Sequence, residues 1–255
     1  MMTTLALTTV LTLANPATPS ADESAGPEVR AHAPAKAMAI GILEAGLDSG
    51  DPLAAAQTAA DLLGPNWKAS ADLRAAESAD EVRVVLDRLS FRPILEAEFP
   101  PDFPDWTPVG EIEIKQYPTY RMAIAKSPEG REENGLFFRL FNHISTNDIP
   151  MTAPVEMSRS DGEVMMGFMY PDSDTGTLGE AALDVEVIDV PPTRVVTIGM
   201  RGNRTRAAVE QAEALLRDAI EARGLIVAGE LREMGYNSPS IRGDRRYFEV
   251  QIPVE

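Results

Sequence analysis

Between Gly135 and Thr146 the apolar positions recur at a helical period. Leu136, Phe137, Leu140, Phe141 and Ile144 fall along one broad stripe. Ser145, Thr146, Asn147 and Asp148 end that helix, because each side chain competes for nearby backbone groups. Pro150 pushes Ile149 into an extended conformation. The next stretch, Met151 to Met157, reads as a strand with Pro154 inside it, hence an edge or a bulge. Ahead of the helix the period is two: Ile112 and Ile114 alternate with Glu111, Glu113 and Lys115, and after a turn at Pro118 a second strand spans 120–125. Behind it, Asp161-Gly162 is a hairpin signal leading into 164–170, followed by a loop from Pro171 to Gly179. The order then repeats: strands over 183–190 and 194–200, a helix capped by Thr205 and stopped by Gly224, and strands over 227–236 and 245–254. Each half reads strand, strand, helix, strand, strand. The expectation is an α+β fold, a distorted antiparallel eight-stranded barrel of two pseudo-repeated halves with two helices.

The preceding segment is different. Residues 36–89 are helical in pattern and acidic, with one helix from about Met38 stopped by Gly46 to Asp51 and an Ala-rich one from Pro52 to Leu63. A third is opened by a capping box, Ser78 with Glu81, and presents Val82, Val85, Leu86 and Leu89 on one face. Residues 91–108 (FRPILEAEFPPDFPDWTP) form a proline-rich strap with Trp106 as its anchor. Residues 22–35 read as a polar Ala- and Pro-containing linker, in which His32 is expected to be solvated. The first 21 residues resemble a secretory signal lacking its basic start; the blander reading is a disordered start. The expected organisation is therefore 1–21 leader, 22–35 linker, 36–108 helical extension with strap, and 109–255 barrel domain.

Composition narrows the function. The chain has 255 residues, 44% hydrophobic, enough for a sizeable core. Its net charge of −17 argues against a nucleic-acid partner, which is bound by neutralising phosphates, and against an anionic membrane surface. It has no cysteine and only two histidines, which excludes disulfides and thiolate metal sites and disfavours triad chemistry. No HExxH, phosphate-binding loop, GxSxG or GxGxxG occurs, and no run is long enough for a membrane span. No catalytic residue is therefore assigned.

The strand EIEIKQYPTYRMA, the segment IPMTAPV after a helix, MGFMYP, and the ending MGYNSPS followed by RRYFEV resemble the SOUL haem-binding protein family over about Glu111 to Glu255. The resemblance implies a two-half distorted barrel, non-covalent binding of haem or another porphyrin in a cleft lined by the first barrel helix, and no established catalytic residues. Three departures stand out: Gln116 occupies the place where some members carry a proposed axial histidine, His143 replaces a helix tyrosine, and Tyr247-Phe248-Glu249 follows Arg245-Arg246. A haem site needs a flat apolar slot, cations for two propionates and, optionally, an axial ligand. Phe137, Leu140, Phe141 and Ile144 are the candidate wall, against the plainer reading of a helix face docked on the sheet. Arg242 and Arg245, with Arg246, are candidate propionate partners, and Arg201, Arg204 and Arg206 a second group. His143 is the candidate axial ligand, against an ordinary helix histidine. The expected partner is a small planar tetrapyrrole, with no nucleic acid and no membrane span. The expected setting is periplasmic or extracellular if the leader acts as a signal, and cytoplasmic otherwise. The rival is a non-catalytic protein-interaction or structural module of the same fold that no longer binds porphyrin. An open trough beside the first barrel helix separates the two.

Overall fold

The computed structural model describes residues 27–129 and 133–255, with side chains from residue 34 apart from those of residues 133, 134 and 180. The leader read in residues 1–21 lies outside the described residues. Four helices come first: α1 (Pro27–Ser49), α2 (Pro52–Leu63), α3 (Lys68–Ala75) and α4 (Ala79–Ser90). They bury a common core of Leu43, Ala56, Leu63, Trp67, Leu73, Val82, Val85 and Leu89. α1 starts within the stretch read as linker and carries Pro34 inside it. The alanines at 31, 33 and 35 favour helix, and one proline removes only one backbone donor. α1 also runs through Gly46, read as a stop; a side chain there would collide with the Cβ of Ala55, so this glycine serves the close crossing of α1 and α2.

The remaining elements are β1 (Ile112–Tyr117), β2 (Tyr120–Pro128), α5 (Glu133–Thr146), β3 (Val155–Ser160), β4 (Glu163–Met169), β5 (Gly179–Ala181), β6 (Val185–Val190), β7 (Thr193–Arg201), α6 (Arg206–Ala222), β8 (Arg232–Gly235) and β9 (Tyr247–Pro253), with a 3-10 turn at Gly243–Arg245. The strands form one curled antiparallel sheet in the order β1-β7-β9-β8-β3-β4-β2-β6-β5. Eight correspond to the expected strands, but β3 begins only after Pro154 and lies at the centre of the sheet rather than at an edge, so the proline precedes the ladder instead of interrupting it. The short β5, just after the loop read from Pro171 to Gly179, extends one edge. Exchanging the first four barrel strands for the last four simply reverses this order, so the two halves are related by a pseudo-twofold through the central pair β3–β8. The hairpin at Asp161-Gly162 has positive φ at both residues, 51° and 77°, as a type I′ turn requires.

Alternation along the strands sorts the two faces. Ala123, Ala125, Met157, Met166 and Phe168 pack under α5; Val196, Ile198, Phe248, Val250 and Ile252 pack under α6. The opposite face carries Tyr117, Tyr120, Met122, Met169, Met234 and Tyr247, and the strap covers it. Phe103 sits edge-on to Tyr117 and Tyr120 at 5.1 Å from each, and Trp106 sits edge-on to Tyr247 at 5.7 Å. The strap lies so close to β7 that a side chain at Gly199 would collide with the carbonyl oxygens of Thr107 and Pro108.

Charges are buried on that face as well. Glu249 receives Lys115 Nζ at 2.8 Å and the Thr107 N–H at 2.7 Å on one oxygen, and Thr197 and Gln251 on the other. Burial by itself would raise its pKa, but Lys115 and these donors hold it below the usual carboxylate range.

Candidate functional site

The two barrel helices dock over outer strands: α5 touches β2, β4 and β6, whereas α6 touches β7 and β9. The central pair β3–β8 is thus covered by neither helix to the extent that the outer strands are. A cavity of about 640 Å³ opens there, within the range of cofactor sites. Phe137 and Phe138 of α5 form one wall, and Met151, Val155, Met157 and Met166 line its base. The other end is polar: Asn203 and Arg204 from the loop entering α6, Asn237 and Ser238 from the loop after β8, and Arg246.

The apolar stripe of α5 divides in two. Leu136, Leu140 and Ile144, spaced by four, face the sheet and are fully buried, so their work is packing. The aromatic edge turns away: Phe137 stacks on Phe141 with centroids 6.0 Å apart and meets the core edge-on through Phe168 at 5.1 Å. Phe141 is half exposed and Phe138 is 68% exposed, the largest opening among the exposed bulky apolar side chains. Of the predicted wall, only Phe137 lines the cavity. Phe138 is the wall residue missed from sequence, because the stripe centred on Leu140 excludes it.

The arginines also sort themselves. Arg242 is spent on Asp244, which it grips with two nitrogens, and neither it nor Arg245 lines the cavity. Arg246 does, fixed by the carbonyls of Pro239 and Ile241 and by Asn203 Oδ1, all neutral acceptors. Among the described residues no carboxylate pairs with it. Arg204 reaches Met157 Sδ at 2.8 Å and pairs with Glu233 at 3.3 Å, a carboxylate also claimed by Arg159. Two guanidiniums thus face the polar end of the chamber, Arg204 with a carboxylate it shares with Arg159 and Arg246 with neutral acceptors, while Glu96 adds a carboxylate to the lining.

His143 lies elsewhere. Its Nε2 is 2.7 Å from the Tyr170 hydroxyl, and the pair lines a separate, smaller hollow with Asn142, Thr146 and Asn147. Burial lowers the His143 pKa and raises that of Tyr170, so the imidazole is neutral at pH 7. Gln116 is exposed on the edge strand β1 and lines neither hollow. Among the described residues lining the main cavity, those with lone pairs suited to a metal include the methionine thioethers, the Tyr236 and Tyr247 hydroxyls and the Glu96 carboxylate, and no histidine. No cluster of three metal-ligating His, Asp or Glu exists among the described residues.

A family model described as SOUL heme-binding protein matches residues 102–253. The chain belongs to the SOUL heme-binding protein family. The match covers the sheet, α5 and α6 and omits the four leading helices. No curated protein matches the chain. Among solved structures, an uncharacterized conserved protein from Listeria innocua is similar with a TM-score of 0.47 and 13% identity, over 58% of this chain and 94% of that one. The EcmrR C-terminal domain aligns with a TM-score of 0.46 and 13% identity, over 57% and 98%. SAV2435 bound to tetraphenylphosphonium aligns with a TM-score of 0.37 and 14% identity, over 57% and 94%. These distant likenesses carry nothing about what the SOUL domain described here binds.

Proposed function

We propose that this SOUL protein binds haem or a related tetrapyrrole non-covalently in the cavity beside α5. The observation that carries the reading is the pairing of an aromatic wall with two guanidiniums across one chamber of about 640 Å³. A planar macrocycle with carboxylate substituents needs both: ring faces to stack on, and charge-assisted donors for its acidic edge. Phe137 and Phe138 serve the first need, Arg246 and Arg204 the second. A bound haem would bring redox and ligand-binding capacity of its own; the protein's part is to hold and shield it.

Titrating hemin into the pure protein tests this. A saturable, shifted Soret band with quenching of Trp106 is expected, and unchanged spectra at all ratios would overturn the proposal. The partly uncovered aromatic edge of α5 also bears on the interaction-module alternative: it leaves the trough open, the arrangement that a porphyrin binder requires.

A further inference from the structure

One wall of the cavity comes from outside the SOUL match. The match begins at residue 102, yet Glu96 and Ala97 of the strap line the chamber. The first stretch of the strap is fastened by aromatic packing at Phe91 and at Phe99. Phe91 is buried and stacks 6.3 Å from Tyr247, and Phe99 meets Tyr236 edge-on at 5.7 Å. Between these anchors Ile94, Leu95 and Glu96 are exposed and form neither helix nor strand.

What holds this middle span is a short set of polar bonds to the two loops that border the cavity. Ser238 donates its N–H and its hydroxyl to the Glu96 carboxylate at 2.6 and 2.9 Å. Asn237 Nδ2 donates to the Ile94 carbonyl at 2.5 Å, and the Ala153 N–H donates to the Glu98 carbonyl at 2.9 Å. Ala153, Asn237 and Ser238 all line the chamber. The other side of the same loop is gripped by Arg246 through Pro239 and Ile241. Solvent-exposed bonds of this kind, with no apolar core beneath them, open at far lower cost than the packed ends.

We propose that residues 94–98 are a latch on the polar rim of the cavity: the Glu96 carboxylate ties the loop 236–241 to the strap, and its release of Ser238 widens that end of the open chamber for the acidic edge of a ligand. The proposal rests on the reading of the chamber as a tetrapyrrole site. It makes Glu96 an access-controlling residue that the SOUL domain acquires from its amino-terminal extension. Its negative charge also opposes an anionic ligand arriving at Arg246.

The test uses the full chain as wild type, Glu96→Gln and Ser238→Ala. Amide hydrogen exchange without ligand should quicken about tenfold in residues 236–241 of Glu96→Gln, the change expected when a charge-assisted pair is lost, with β3, β8 and β9 unchanged. Stopped-flow hemin uptake should accelerate by a similar factor, and Ser238→Ala should fall between wild type and Glu96→Gln on both measures. Unaltered exchange in 236–241 overturns the latch, as does faster exchange with an unaltered uptake rate. Should the wild type take up no porphyrin, the tetrapyrrole reading fails by itself. Exchange alone then decides whether Glu96 holds the loop.

Discussion

Arg246 is the side chain with most to offer an anionic ligand, because every partner it has is neutral. Arg246→Gln is expected to weaken hemin binding by about 1.5–3 kcal/mol, the worth of a hydrogen bond to a charged group. Binding of a porphyrin dimethyl ester, which lacks that charge, should hardly change; parallel Soret titrations make the comparison. Arg242→Gln is expected to leave both affinities as they are, since Arg242 is occupied with Asp244. His143 supplies a different prediction. Its folded pKa lies below the usual 6.5, so the unfolded chain binds the extra proton first as pH falls. Its contribution to stability is therefore complete above about pH 6.5 and declines below it. Melting temperatures taken from pH 7 down to pH 5 should fall less steeply in His143→Gln than in wild type. The Soret position of the hemin complex should be the same in both, because the imidazole faces the smaller hollow.

At the scale of elements, what could be read from sequence was what the chain encodes locally. Ser78 and Glu81 form the expected reciprocal cap of α4, and Thr205 accepts from the Ala208 N–H at the start of α6. Strand periodicity placed most of the barrel strands for the same reason: alternation needs only neighbours, and along β4 it sends Met166 to the α5 side and Met165 and Met169 to the strap side. α3 escaped notice because its cap is supplied from far away. Trp67 at its start makes no side-chain cap, and the Lys68 and Ala69 N–H groups instead donate to the Glu111 carboxylate at 2.7 and 2.9 Å. Glu111→Ala should therefore cost about 0.5–2 kcal/mol in urea unfolding, as the loss of a helix cap does elsewhere. The arginines were unreadable for a related reason. Arg242, Arg245 and Arg246 lie around one 3-10 turn, and its backbone path alone determines which of them meets the cavity. The split of the α5 stripe into packing residues and an aromatic edge likewise depends on where the sheet ends beneath the helix.

At the scale of the molecule, the helical extension and the barrel share contacts that tie them into one unit. Besides Glu111, Arg201 pairs with Asp87, and within the extension the Lys36 ammonium lies 4.9 Å from the centroid of Trp106, joining α1 to the strap. The strap continues this contact across the tyrosine face. Unfolding should therefore be a single cooperative event. Trp67 reports from the helices and Trp106 from the strap, so Trp67→Phe and Trp106→Phe give one-tryptophan proteins for each. Their denaturation midpoints, read by fluorescence and referred to circular dichroism of the same sample, should coincide within each variant. Two separated transitions would show that the extension unfolds independently.

The pseudo-twofold through β3–β8 has one further consequence. The ring-stacking wall comes wholly from the first half of the barrel, in Phe137 and Phe138, and the guanidiniums come wholly from the second, in Arg204 and Arg246. Cut apart, one half would offer grease without charge and the other charge without grease. The proposed pigment capture would thus require the union of the two repeats, whose unequal side chains turn a symmetric scaffold into a seat with a front and a back.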